Sequence, residues 1–211
     1  MFAQYQEAID VKNKLEEISV GEFSATQLEN YAKCPYKYFV ENVLRLETIT
    51  GPVEELEAFE YGSLIHTILY EFYTKLKEKG IILSNCSDDD FKTAENLLFK
   101  IAGQKFDELK LSPELSFYER EKLLGINNRR TQSLLYKFLE EERTNDSGYI
   151  PLFFEMSFGK VKNQSKSSKK FNESVNAGKI KLKGKIDRID INEEEKTLKV
   201  VDYKLGGKKP S

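Results

Sequence analysis

Apolar residues along this chain keep two different rhythms, and the change falls near position 148. Before it they recur every three or four positions, the spacing that gives a helix one apolar face. Ile65, Leu69, Phe72 and Leu76 form such a stripe and predict a helix over 57–79, closed by Gly80. Phe91, Ala94, Leu97, Leu98 and Ile101 repeat the pattern and predict a helix over 88–109. Leu123, Leu134, Leu135, Phe138 and Leu139 predict one more, running from Pro113 to Thr144. Upstream, Ser24 with Gln27 three residues later has the form of a capping box. It opens a helix through Leu28, Tyr31, Ala32, Tyr36 and Phe39, which Pro35 kinks or restarts.

After Asn145-Asp-Ser-Gly148 the period becomes two, the signature of strands. Residues 151–158 put Phe154, Met156 and Phe158 on one face and Phe153, Glu155 and Ser157 on the other. Residues 163–176, mostly Lys, Ser and Asn, read as a loop. The next predicted strand is 179–191, with Ile180, Leu182, Gly184 and Ile186 on one face. Its apolar parity then moves to Ile189 and Ile191, which requires a bulge near Asp187 or burial on both faces. Residues 192–196 supply a hairpin turn, and a last strand is predicted over 197–205. Helices followed by mainly antiparallel strands place the chain in the α/β class, of the α+β-like kind. The expected division is an N-terminal extension over 1–21, a helical part over 22–149 and a strand core over 150–211.

The 211 residues, 39% apolar and 32% charged, suit a water-soluble domain large enough to bury a core. No run approaches the roughly 18 apolar residues of a membrane span, and the N-terminus has neither a basic region nor an apolar core. A membrane partner is therefore not expected, and the expected compartment is the cytoplasm. Two cysteines, Cys34 and Cys86, make neither a disulfide framework nor a CxxC clip. The net charge of −2 hides an asymmetry: residues 160–211 carry 15 Lys and Arg against 7 Asp and Glu, leaving −10 on residues 1–159. Such a local excess suits a phosphate-facing side, or else a solvated lysine-rich hairpin. On the first reading Arg188, Lys181, Lys183 and Lys185 contact a nucleic-acid backbone without reading its sequence.

The sole histidine, His66, ends Gly62-Ser-Leu-Ile-His66; far downstream lie Asp187 and Asp190, then Asp202, Tyr203 and Lys204. One imidazole, two or three carboxylates and one amine are the inventory for a divalent cation beside an activated water. On the predicted last strand Asp202 and Lys204 share a face, behind core-facing Leu198 and Val200, with Asp187 across from Asp202. There the Tyr203 backbone carbonyl offers a further oxygen ligand, and burial beside a metal would make Lys204 a base. Asp-x-Lys alone is common as a surface ion pair, and a lone histidine on a helix flank also fits a hydrogen-bonded boundary residue. Gly62 costs its helix about 1 kcal/mol relative to Ala, which suggests close backbone approach or packing against another helix.

Four motifs in order, Cys34-Pro-Tyr-Lys-Tyr-Phe39, Gly62-Ser-Leu-Ile-His66, Gly184-Lys-Ile-Asp187-Arg-Ile-Asp190 and Val201-Asp202-Tyr203-Lys204-Leu-Gly206, resemble the RecB/AddB-type branch of the PD-(D/E)xK nucleases. The resemblance spans about residues 22–207. It implies a restriction-endonuclease-like core with a mixed, mainly antiparallel sheet, and a metal-dependent DNA nuclease acting on linear ends in double-strand break repair. It implies that His66, Asp187 and Asp202 bind Mg²⁺ or Mn²⁺ and that Lys204 is the catalytic lysine. Glu155 falls where such nucleases often carry a strand glutamate, and an exposed strand residue is an equal reading. A helicase subunit, or a helicase region of a longer chain, is the implied partner.

Two departures stand out. Relatives usually follow the Asp-x-Lys strand with a helix bearing a Gln-x-x-x-Tyr-like motif, whereas this sequence stops at Ser211, so a fragment or a shortened relative is expected. Members with an iron–sulfur cluster pair a cysteine like Cys34 with three near the C-terminus; none is present, so no cluster is expected and Cys34 reads as a buried small hydrophobe. A catalytically inactive DNA-binding module and a CRISPR-adaptation-type nuclease of the same superfamily stay open as alternatives.

Overall fold

Ser24 opens the first capped helix as the sequence predicts. Its Oγ accepts from Gln27 N at 3.2 Å while its own N–H donates to Gln27 Oε1 at 2.9 Å. Helix α1 (Ala25–Lys33) ends where Cys34 turns extended, and Pro35 restarts the chain as a single turn, α2 (Pro35–Tyr38), leading into a π-turn at Phe39–Val43. Cys34 is exposed, not buried as its small apolar character suggested, because its Sγ caps α2 by accepting from Lys37 N. The computed structural model describes residues 12, 13, 15, 16, 18–46, 53–108, 113–125, 129–159, 170, 171 and 173–204. The expected extension over 1–21 lies largely outside them. Contacts divide the chain into two units, Met1–Ile49 with Met156–Lys185, and Thr50–Glu155 with Ile186–Ser211.

The first unit holds α1, α2 and a small sheet. Strand β1 (Glu22–Phe23) pairs in parallel with β5 (Ile180–Leu182), which pairs antiparallel with β4 (Val175–Ala177). The end of β2 (Ile150–Phe158) pairs in parallel with β3 (Lys170–Phe171). Part of the segment read as a loop, 170–171 and 175–176, is thus strand. The strand predicted over 179–191 is two strands, β5 and β6 (Gly184–Asn192), interrupted at Lys183. Lys183 N donates to Phe23 O, turning one ladder toward β1. A Cβ at Gly184 would stand 3.0 Å from the Phe158 ring, so a larger residue there would require that ring to shift by a few tenths of an ångström.

The second unit is built on a 27-residue helix, α3 (Val53–Lys79). Its stripe of Leu64, Ile65, Ile68, Leu69, Phe72 and Leu76 is buried, and Gly80, at φ +69°, closes it. Ile81 N then donates to Leu76 O, the bond of a Schellman stop. Against it lies α4 (Asp88–Asp107), capped by Ser87 and carrying three aspartates in its first turn, where the helix dipole favours them. The single helix predicted from Pro113 to Thr144 is two, α5 (Pro113–Leu124) and α6 (Leu134–Thr144). Gly125 at φ +66° ends α5, a Cβ there would meet the Arg129 backbone, and Ser133 caps α6 afresh. Spacing alone missed this because Leu123, Leu135 and Leu139 are buried as if on one continuous stripe.

The strands of this unit are ordered β2, β6, β7 (Thr197–Val201), with β6 and β7 antiparallel in the register Arg188↔Val201 to Asn192↔Thr197. Arg188, Ile189 and Asp190 are buried in succession, so the parity shift in β6 reflects burial on both faces. The irregular backbone sits in β2 instead, where Glu155 has φ +51° and both it and Phe154 are buried. Strand β7 stops at Val201, short of the predicted 205; Leu198 and Val200, expected in the core, are 66% and 64% exposed at the edge of the sheet. Among the described residues no helix is long and apolar enough to cross a membrane.

Nothing among the described residues lies within 4 Å of where a Cβ would stand on Gly62, so none of them supplies the close approach or helix packing that its presence suggested. Gly62→Ala should therefore raise stability by up to about 1 kcal/mol, or roughly 2–4 °C in a circular-dichroism melt. A lowered Tm would show that the position is crowded after all.

Candidate metal centre

Three elements of the second unit bring one ligand atom each to a common point. His66 sits on the flank of α3, between residues whose side chains enter the core, so its ring is fixed at the root and half-exposed at the tip. Asp187 lies on β6 one residue before the paired stretch begins. Glu155, 5% exposed, is turned inward by its left-handed backbone, a conformation that costs an L-residue about 1–2 kcal/mol. His66 Nδ1 stands 3.2 Å from Asp187 Oδ1 and 3.6 Å from Glu155 Oε1. The three ligand atoms lie within 4.8 Å of one another.

Tyr203 holds this group together through its backbone. Its N–H donates to Asp187 Oδ2 at 2.9 Å, and its carbonyl oxygen lies 3.2 Å from His66 Nε2. A carbonyl oxygen only accepts, so the contact assigns a hydrogen to Nε2. A second hydrogen, on Nδ1 of the imidazolium, bonds Asp187 Oδ1; once that hydrogen is lost, Nδ1 presents its lone pair to the two carboxylates, the orientation a shared cation needs. The Tyr203 carbonyl, expected as a metal ligand, instead faces the far nitrogen and fixes the imidazole. The two rings also meet edge to face at 5.9 Å. Burial would raise the Asp187 pKa, but the bonds from His66 and the Tyr203 N–H, with Asp202 beside them, outweigh it and hold the carboxyl below its ordinary value.

Ligands sharing one cation, with bonds of about 2.0–2.4 Å, are separated by no more than about 4.8 Å. The imidazole and two carboxylates meet that condition, and they suit Mn²⁺ as well as harder Mg²⁺. Asp202 and Lys204 follow β7 and lie next to the Tyr203 clip, paired with each other at 3.0 Å. Their side chains are 62% and 78% exposed, so the buried lysine that the strand reading predicted is not found. Lys181 and Lys185 are exposed and Lys183 is half-buried, all on the first unit.

Arg188 is a correction. Expected to touch phosphate, it is 2% exposed and its guanidinium is used inside the second unit. It forms a fork with Asp190, Nε to Oδ1 at 2.5 Å and Nη2 to Oδ2 at 2.8 Å. Nη1 donates to Tyr73 Oη at 2.6 Å and to Glu142 Oε1 at 2.9 Å, and Tyr73 Oη donates to Glu142 Oε2 at 2.8 Å. Burial alone would lower the guanidinium pKa; Asp190, Tyr73 and Glu142 raise it instead. Arg188 and Asp190 are two apart on one strand and so share a face, a signal present in the sequence. Tyr73 and Glu142 carried none, since an aromatic at helical spacing reads as core and a glutamate late in a helix reads as surface.

Comparison with known proteins bears on the same residues. The profile described as the PD-(D/E)XK nuclease superfamily matches residues 22–211. An ATP-dependent helicase/deoxyribonuclease subunit from Carboxydothermus hydrogenoformans is 32% identical over 185 residues, covering 87% of this chain and 16% of its own length. Proteins of the same name from Clostridium perfringens strain SM101 and Caldanaerobacter subterraneus subsp. tengcongensis are each 30% identical, covering 95% and 89% of this chain. The chain thus spans about a sixth of the length of these curated relatives.

Proposed function

The chain belongs to the PD-(D/E)XK nuclease superfamily, and we propose that it hydrolyses DNA phosphodiester bonds with a divalent cation held by His66, Glu155 and Asp187. The observation that carries this reading is the convergence of those three ligand atoms within 4.8 Å. A cation bound there would lower the pKa of its water and offset charge on the scissile phosphate. The chain's own groups then divide the remaining work. Tyr203 fixes the tautomer of His66 and the rotamer of Asp187 through one peptide. Asp202, beside Asp187, completes the acidic side, and Lys204, 3.0 Å from Asp202, orients the attacking water as a hydrogen-bond donor. Glu155 keeps a strained backbone, as residues at reacting centres often do.

The relatives' name pairs a helicase with a deoxyribonuclease, and this supports DNA as the substrate and a helicase as the partner. We assign exonucleolytic end processing with Mg²⁺ or Mn²⁺ as the finer form of the reading, in the cytoplasm. The test is cleavage of end-labelled linear single- and double-stranded DNA by the 211-residue chain with either metal. Cleavage should vanish in Asp202→Ala and fall about 10²- to 10⁴-fold in Lys204→Ala, with DNA binding kept. Tight DNA binding without cleavage by the unaltered chain would replace this reading with that of an inactive binding module.

A further inference from the structure

Each of the three ligand residues has a neighbour in one buried cluster. Tyr73 is seven residues beyond His66 on α3, two turns along the same face and about 10 Å away. Arg188 follows Asp187 on β6, and Phe154 precedes Glu155 on β2. Tyr73 and Phe154 are stacked, with centroids 4.9 Å apart and planes 8° from parallel. The Arg188 guanidinium lies 4.9 Å over the same tyrosine ring while bonding its hydroxyl. Glu142, from α6, ties both groups, and Asp190, with no exposed surface, takes the remaining edge of the fork. One tyrosine of α3 therefore meets both other elements that carry ligand atoms, β2 through Phe154 and β6 through Arg188.

Buried ion pairs of this kind are a poor source of stability, since apolar residues of similar volume often do as well or better. Their geometry is what apolar packing lacks: a planar fork on a carboxylate admits one arrangement, and a shift of either partner breaks it. From this we propose that Tyr73 and Arg188 are positioning residues for the metal centre, clamping α3, β2 and β6 so that His66, Glu155 and Asp187 stay at ligand separation. The proposal rests on the metal-centre reading above and says which residues beyond the ligands set its affinity. The cluster touches no reacting atom; it acts through the three residues next to it.

Calorimetric titration of Mn²⁺ into the chain, paired with thermal unfolding in the absence of metal, tests this without relying on cleavage. Tyr73→Phe keeps the stack on Phe154 and removes the hydroxyl; it should weaken Mn²⁺ binding roughly tenfold. Arg188→Lys keeps the charge but loses the fork and should weaken binding at least as much. If Tyr73→Phe does not fold, Glu142→Gln, which keeps the side chain's size, carries the same comparison. Folded variants that bind Mn²⁺ as tightly as the unaltered chain, whatever their melting temperature, would overturn the proposal. Absence of Mn²⁺ binding by the unaltered chain would instead overturn the metal-centre reading, and an Asp187→Asn control separates site binding from loose surface binding.

Discussion

Asp187→Asn should slow single-turnover cleavage of end-labelled linear DNA by about 10³-fold or more at saturating Mn²⁺. The substitution keeps the side chain's shape and an oxygen able to accept from Tyr203 N–H, so the peptide clip at 2.9 Å can survive. What it removes is charge: an amide replaces the carboxylate 3.2 Å from His66 Nδ1, where the cation and the imidazole both need an anion. Metal assistance supplies several kcal/mol of transition-state stabilisation, and each 1.36 kcal/mol is tenfold in rate. Losing about 4 kcal/mol gives the stated factor. DNA affinity, read by fluorescence anisotropy, should change by no more than a few-fold, because most of it comes from backbone phosphates neutralised by lysines and arginines. His66→Ala combined with Asp187→Asn should cost little more than either alone, since the two act on one cation. A single variant within tenfold of the unaltered chain would remove Asp187 from the centre.

The helical stripes and the two-residue alternation were legible because burial imposes them; they located α3, α4 and the β6–β7 hairpin from apolar spacing. The His66–Asp187 contact was legible for another reason. A lone histidine, an Asp-Arg-Ile-Asp strand and an Asp-x-Lys strand are each ordinary, and their chemical complementarity together with the family resemblance of the four motifs in order joined them. Glu155 was half visible: the alternation put it opposite Phe154, but the left-handed backbone that buries both residues has no marker where glycine is absent. The break between α5 and α6 did carry a marker, Gly125, overridden by a stripe of leucines that continued past it. Arg188 failed for a physical reason as well. A lysine-rich neighbourhood made it look like one more phosphate contact, whereas Asp190 on the same face marked it as half of a buried pair. Tyr73 and Glu142 are separated by 69 positions, and no local pattern announces a bond across that distance.

Arg188→Met should destabilise the chain by about 3–5 kcal/mol, lowering Tm by roughly 6–20 °C for a domain of this size. The loss comes from what remains: Asp190, fully buried, and Glu142 are left without the guanidinium that satisfied them. Methionine nearly matches the arginine stem in volume, so cavity formation contributes little. A fall of less than about 1 kcal/mol in denaturant melts would mean that Asp190 finds another partner and that the cluster is not closed as described. The informative comparison is with all four polar members replaced together, Tyr73→Phe, Glu142→Leu, Arg188→Met and Asp190→Leu. That combination leaves no unpaired charge and should recover most of the lost stability, as apolar substitutes for buried ion pairs often do. It should not recover Mn²⁺ affinity, because an apolar cluster packs well in several arrangements while the ligand atoms tolerate only one. Stability and metal affinity would then part company in one protein, which assigns the buried arginine to the geometry of the site and not to the strength of the fold.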